Sequence, residues 1–253
     1  MLKNKFSRMT CIIFIVALLI VSNLYAYATE YWGSFSSYSA GDYSAKHASY
    51  MNVILDSISA RTKIQSESGS SLPPGTMGVY PRGYFTDGTL AKAGSWSYTS
   101  ISAVGFDCPV HLDDFSEYLY SKGMSALWNG DGYTTKSTTS SPNAKKNLSS
   151  SPIMSIQVNS SGQTFGSAAN ATSIEDEPDL ILAEGIGGVR GYVKSSDLNG
   201  EMPKSPEEAV KMMQTKNSNQ SKFIPLYDSE GKAVIGQFKI TPPDKNDIET
   251  INK

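Results

Sequence analysis

From residue 29 to about 140, apolar positions come in short runs set apart by turn residues. In Ala60-Arg61-Thr62-Lys63-Ile64-Gln65, charged and polar residues alternate with Ala, Thr and Ile. A period of two puts one face of a strand on a core and the other in water. The pattern predicts strands over residues 45–55, 60–67, 76–85, 90–98 and 117–128. Leu72-Pro73-Pro74-Gly75, Asp87-Gly88 and Asn129-Gly130-Asp131-Gly132 punctuate them. Proline presets φ and glycine supplies positive φ, as tight connections require. Asp87-Gly88 is a hairpin signal between Phe85 and Leu90. These runs predict an N-terminal antiparallel β-sandwich or barrel-like domain over residues 29–140.

The patterning then changes. Residues 134–172 are mostly Ser, Thr, Asn, Gly and Lys, with one possible short strand over 153–158. Such a stretch buries too little apolar surface to offset its ordering entropy, so residues 141–175 read as a flexible linker. Beyond it, strands are expected over residues 179–183 and 189–193 around Gly185-Ile186-Gly187-Gly188. Ser205-Pro206-Glu207-Glu208 opens a helix: Ser205 caps, Pro206 takes the first helical position and Glu208 completes a capping box. Ala209, Met212 and Met213 share one face of it, and Asn217-Ser218-Asn219 ends it. Further strands are expected over 223–227 and 233–240. Pro225 cannot donate a ladder hydrogen bond, which argues for an edge strand there. The order ββαββ makes residues 176–241 a small α+β module, with 242–253 a polar tail. The fold class expected is therefore mainly β, with this module attached through the Ser/Thr-rich linker.

The N-terminus carries a different signal. Lys3, Lys5 and Arg8 precede an apolar run from Cys11 to Val21, and Ala26-Tyr27-Ala28 follows. This is the order of a secretory leader, with residues 1–28 removed between Ala28 and Thr29. The run is shorter than the roughly 20 apolar residues a spanning helix needs, so no stable membrane span is expected after cleavage. A secreted or envelope-associated protein follows from that reading. Losing three basic residues leaves 19 against 24 acids, a net charge of −5. A mildly acidic chain without a basic stripe argues against a nucleic-acid partner.

Candidate chemistry is sparse. Cys108 alone remains after cleavage, which excludes an internal disulfide and a cysteine-based zinc site. In Phe106-Asp107-Cys108-Pro109-Val110 it reads as a small buried hydrophobe. His47 and His111 are the only imidazoles. His111-Leu112-Asp113-Asp114 offers one imidazole and carboxylates, short of the three protein ligands of a catalytic zinc site. No Gly-x-Ser-x-Gly is present, and Gly185-Ile186-Gly187-Gly188 leads into a strand rather than a phosphate-binding helix. Glu175-Asp176-Glu177 with Asp179 lacks the spacing of a calcium loop and reads as a solvated end of the linker. No catalytic, metal or cofactor residue is expected. Trp32, Trp96 and Trp128 have two open readings, core filling or a surface platform for sugar or peptide.

Two segments carry resemblances. Pro73-Pro74-Gly75-Thr76-Met77-Gly78-Val79, Ser95-Trp96-Ser97-Tyr98 and Asn129-Gly130-Asp131-Gly132-Tyr133 resemble uncharacterised secreted proteins of Gram-positive bacteria. The Tyr-rich composition is also distantly similar to the lactococcin 972 class of β-sandwich bacteriocins. Gly191-Tyr192-Val193-Lys194-Ser195-Ser196-Asp197-Leu198, Pro206-Glu207-Glu208-Ala209 and Ile224-Pro225-Leu226-Tyr227 are similar to a module appended to exported proteins, some labelled sensor-type metallopeptidases. The peptidase zinc motif is absent, so the resemblance implies export from a Gram-positive cell and transfers no catalytic residue. The expected role is a non-enzymatic binding protein with an extracellular or cell-wall partner. The alternatives are a bacteriocin-like toxin and an extracellular hydrolase with an unrecognised site.

Overall fold

The computed structural model describes residues 28–54, 57–112, 119–143, 155–215 and 220–252; the leader expected over 1–28 lies outside them except for Ala28. The protein is mainly β. The alternating segment becomes β1 (Ala28–Trp32), β2 (Ser36–Ala40), β3 (Tyr43–Ile54) and β4 (Ser57–Ser66). β3 and β4 pair antiparallel from Ala45↔Ser66 to Ile54↔Ser57. β1 and β2 lie end to end along the other edge of β3, with Gly33 N–H held by the Ser49 carbonyl at 2.9 Å.

The next three expected strands each break in two. Residues 76–85 give β5 (Met77–Tyr80) and β6 (Arg82–Phe85), and residues 90–98 give β7 (Leu90–Ala93) and β8 (Ser97–Tyr98). β9 (Gly105–His111) intervenes, and then β10 (Leu119–Ser121) and β11 (Met124–Trp128) replace the strand expected over 117–128. In every case one half joins one sheet and the other half joins another. Strands that switch sheets at a bend make the corners of orthogonal packings. The sequence supplies the bends. Pro81 has no N–H to continue a ladder. A Cβ on Gly94 would lie 2.7 Å from Pro81 Cγ, and one on Gly123 only 1.9 Å from Thr62 Oγ1.

β12 (Tyr133–Ser137), β11, β5 and β8 form the four-stranded second sheet. It packs under the first sheet, where Ile64, Phe106, Cys108, Met77, Val79 and Leu127 make one core cluster. Met51, Ala60, Val110, Phe85, Leu112 and Leu119 make another. Each large apolar side chain so buried contributes on the order of 1.5–3 kcal/mol. Between the clusters runs a polar seam. Ser49 Oγ accepts from Gly123 N–H at 2.9 Å, and Thr138 Oγ1 donates to the Gly123 carbonyl at 3.1 Å. Bending the chain at Gly123 takes its backbone groups out of a ladder, and these hydroxyls satisfy them.

The remaining strands are β13 (Gln157–Val158), β14 (Thr164–Gly166), β15 (Leu180–Glu184) and β16 (Arg190–Lys194). Helices α1 (Ser195–Asn199) and α2 (Pro206–Thr215) precede β17 (Lys222–Tyr227), β18 (Val234–Ile240) and β19 (Glu249–Ile251). Ser205 caps α2 as expected, its Oγ accepting from Glu208 N–H at 3.2 Å. The Glu208 carboxylate reaches one residue further back, to Lys204 N–H at 2.8 Å. The expected end of this helix, residues 217–219, lies outside the described residues.

The boundaries expected between a β domain, a linker and a separate module do not hold. One nine-stranded sheet runs β10-β6-β7-β18-β17-β16-β15-β14-β13. β7, from the expected N-terminal domain, pairs parallel with β18 at Ile240↔Ala93 and with β15 at Ala183↔Leu90. The five strands β7, β18, β17, β16 and β15 thus close into a ring, which removes the open edges the module would otherwise expose. β17 accordingly has neighbours on both sides, against the edge position expected from Pro225. Its pairing to β16 is confined to Tyr192↔Tyr227, so the missing Pro225 N–H breaks no ladder there. Of the expected linker, residues 144–154 lie outside the described residues, while Gln157–Val158 and Thr164–Gly166 join the sheet and Ala168 and Ala169 are buried in the main core. The expected polar tail also docks: β19 pairs with β9 from Glu249↔Asp107 to Ile251↔Gly105.

Candidate binding cleft

β10 positions the side chains of interest. It alternates sides: Leu119 enters a core cluster, and Ser121 Oγ donates to the Arg61 carbonyl at 3.0 Å in the seam. Tyr120 and Lys122, two residues apart, point to the opposite face. There they line a cleft of about 920 Å³. Its other walls are residues 137–141 and 169–172, together with Ser34 and Thr86. The walls are pinned by backbone bonds, Ser137 N–H to the Thr172 carbonyl at 2.8 Å and Ser141 N–H to the Ser121 carbonyl at 2.9 Å. Ser167 caps the short turn Ala168–Asn170 and donates to the Gly88 carbonyl at 2.5 Å. The segment read as a linker therefore builds one side of the cleft, residues 169–172.

Lys122 is part-buried and donates from Nζ to the carbonyls of Ala169 and Ala171. Burial pulls its pKa down, and the nearby Arg82 charge pulls it further. An ammonium has three N–H donors, so two backbone acceptors leave one. Among the described residues no carboxylate pairs with it. Tyr120 is 8% exposed, and its ring stacks on Tyr84, its cross-strand partner, at 5.7 Å. Its hydroxyl is buried without a hydrogen-bond partner. Burial pushes its pKa up, with Tyr84 and Asp87 adding to it, so the phenol is a neutral donor. Leaving such a group unsatisfied costs on the order of 1–3 kcal/mol.

Beside the cleft lies a buried ionic cluster, in which Arg82 Nε alone among the guanidinium nitrogens has no hydrogen-bond partner. Arg82 and the Glu177 side chain are both 0% exposed and ion-paired. Arg82 also donates to Asn199 Oδ1 at 2.7 Å, while Asn199 Nδ2 donates to Glu177 Oε2 at 2.7 Å. Ser195 Oγ donates to the same carboxylate oxygen at 3.2 Å, and the guanidinium lies 4.4 Å from the Tyr80 ring centroid. Burial opposes the Arg82 charge, but Glu177, Tyr84 and Tyr80 outweigh it and hold its pKa above the ordinary value. Glu177 thus departs from the solvated acidic run expected of it, while Glu175, Asp176 and Asp179 are exposed.

The other expected candidates scatter. His47 Nδ1 lies 2.6 Å from Ser125 Oγ, which lies 2.9 Å from the Tyr38 hydroxyl. His47 is 3% and Ser125 0% exposed, so the pair is sealed from substrate. Burial, then the Lys136 charge, lowers the His47 pKa to about 4. His111 sits elsewhere, with Nε2 2.9 Å from Asp247 Oδ2 at a half-exposed position. Asp113 and Asp114 lie outside the described residues. Among those residues no group of three His, Cys, Asp or Glu is placed to hold a metal ion. Cys108 is fully buried.

The tryptophans divide between their two readings. Trp96 is 4% exposed and belongs to the main core with Tyr80 and Tyr98. Trp32 is half-buried and stacks on Tyr50 at 3.8 Å and Phe35 at 5.6 Å. Trp128 is half-buried beside Tyr43, Pro73 and Pro74 in a second groove. Ala28 and Thr29 are the first two residues of β1, facing Ile54 and Val53. No helix among the described residues is long and apolar enough to cross a membrane.

Comparison of the chain with family models, with curated proteins and with solved structures returns no match. Tyr120 and Lys122 escaped the sequence reading because β10 is only three residues long and its partners come from segments far along the chain.

Proposed function

We propose that the protein is an exported, non-enzymatic binding protein of the cell envelope, and that its cleft beside β10 takes a polyhydroxylated ligand. The observation that carries this reading is the cleft itself. It has hydroxyl and amide walls, pinned by backbone hydrogen bonds at Ser137, Thr138, Ser141 and Ala171, and it is lined by a tyrosine whose buried phenol has an unused donor. Hydroxyl and amide groups on rigid walls exchange water for the alternating donors and acceptors of a polyol. The leader pattern and the resemblances to exported Gram-positive proteins support the location. The sealing of His47 and Ser125 inside the core weighs against the hydrolase alternative, since a nucleophile must reach its substrate.

The test is backbone NMR of the purified protein titrated with glucose and with N-acetylglucosamine oligomers. Shifts concentrated at residues 120–122, 137–141 and 169–172 are expected. No shift at millimolar sugar, or shifts clustered on Trp32 or Trp128 instead, would overturn the assignment of the cleft.

A further inference from the structure

We infer that the part of this cleft lined by Lys122 and Tyr120 is an anion subsite, so that the ligand is a polyol bearing a carboxylate or a phosphate. The inference rests on reading the cleft as a ligand site and goes further by naming the charge of its occupant.

Three observations carry it. First, Tyr120 of β10 and Lys122, one residue past its end, both line the cleft, one carrying a neutral hydroxyl donor and the other an ammonium. Neither Tyr120 nor Lys122 accepts from anything in that arrangement, so the wall offers donors, which is the complement of an oxyanion. Second, the acids acting on this corner are already engaged. Glu177 is paired with Arg82, and Asp87 Oδ2 accepts from Arg190 at 2.7 Å. Asp176 accepts from Thr172. Third, the Lys122 charge is partly desolvated beside a second cation, Arg82, a position that disfavours an ammonium unless an anion comes to it. The carbonyls of Ala169 and Ala171 orient Nζ but carry no full charge.

A purely structural lysine would use the same two carbonyls, so the test must separate the roles. Tyr120→Phe does this, because its hydroxyl has no partner to lose within the protein. Calorimetric titration of the purified protein would compare glucose with glucuronate, glycerol 3-phosphate and inorganic phosphate. The inference expects the anionic polyols to bind roughly ten- to a hundredfold more tightly than glucose, the range of one or two charge-assisted hydrogen bonds. That preference should shrink as salt rises. Lys122→Met should abolish it and Lys122→Arg should retain part of it. Tyr120→Phe should weaken the anionic ligands about tenfold without lowering Tm. Whichever of glucuronate and glycerol 3-phosphate binds more tightly assigns the anion as carboxylate or phosphate. Equal affinity for glucose and both anionic polyols, or a preference that survives Lys122→Met, overturns the anion subsite while leaving the cleft as a polyol site. Binding of none of the probes overturns both.

Discussion

Arg82 and Lys122 are neighbours, with Lys122 N–H donating to the Arg82 carbonyl at 3.1 Å, yet the two cations live differently. Arg82 is wholly buried against Glu177, Asn199 and the Tyr80 ring, and its charge is paired by a carboxylate. Lys122 is part-buried, has two neutral acceptors and opens on a cleft. The first charge is neutralised within the fold and ties β6 to the 177–199 segment. The second arrangement is incomplete, and an unfinished polar site on rigid walls is what recognition requires. Burial alone therefore does not separate structural from functional charge; the presence of a paired carboxylate does.

The comparison can be broken most forcefully at Glu177. Glu177→Gln keeps the shape but leaves Arg82 as a buried unpaired cation, and should cost about 3–5 kcal/mol in urea unfolding. A loss below about 1 kcal/mol would mean that Arg82 finds water or another acid. His47 provides the next contrast, a buried base kept neutral. Its folded pKa of about 4 lies below the ordinary 6.5, so as pH falls the unfolded chain binds the proton first. The associated stability is full above about pH 6.5 and is lost progressively towards pH 4, up to ~3 kcal/mol. His47→Gln should flatten the difference between urea midpoints at pH 7 and pH 4.5, and an unchanged difference would refute the assignment.

Smaller effects sharpen the other side. Lys122→Met removes donors from the Ala169 and Ala171 carbonyls but strands no opposite charge, so about 1–2 kcal/mol is expected from thermal unfolding. A cost matching that of Glu177→Gln would place Lys122 in the structural class. Tyr120→Phe deletes a buried hydroxyl that bonds nothing, and should leave the protein as stable as the parent or up to about 1–3 kcal/mol more stable. A clear loss would reveal a partner for that phenol and remove one support of the cleft reading.

Much of the fold was legible in the sequence where neighbours along the chain decide the outcome. The alternation through residues 60–65 became part of β4, and Asp87-Gly88 turns the chain between β6 and β7. Ser205-Pro206-Glu207-Glu208 caps a helix, because a cap and the amide it satisfies lie within four residues. The candidate site was not legible. Lys122 sits in a run that reads as one strand, and the walls that make it a cleft come from residues 137–141 and 169–172. The latter lie inside the stretch whose composition argued for disorder; a cap at Ser167, buried alanines and the β14–β15 pairing hold it in place.

The sequence by itself determined a mainly β chain, its turns, its capped helix and the meander of the last four long strands, since period, proline and glycine act within one turn or one hairpin. Tertiary structure alone decided where three strands bend from one sheet into another and that β7 closes a ring with β15 and β18. It also decided that Glu177 is buried on Arg82 and that Lys122 faces a cleft. Those outcomes depend on which surfaces meet between segments far apart in the chain, and no local pattern of polar and apolar positions encodes the partner of a buried charge.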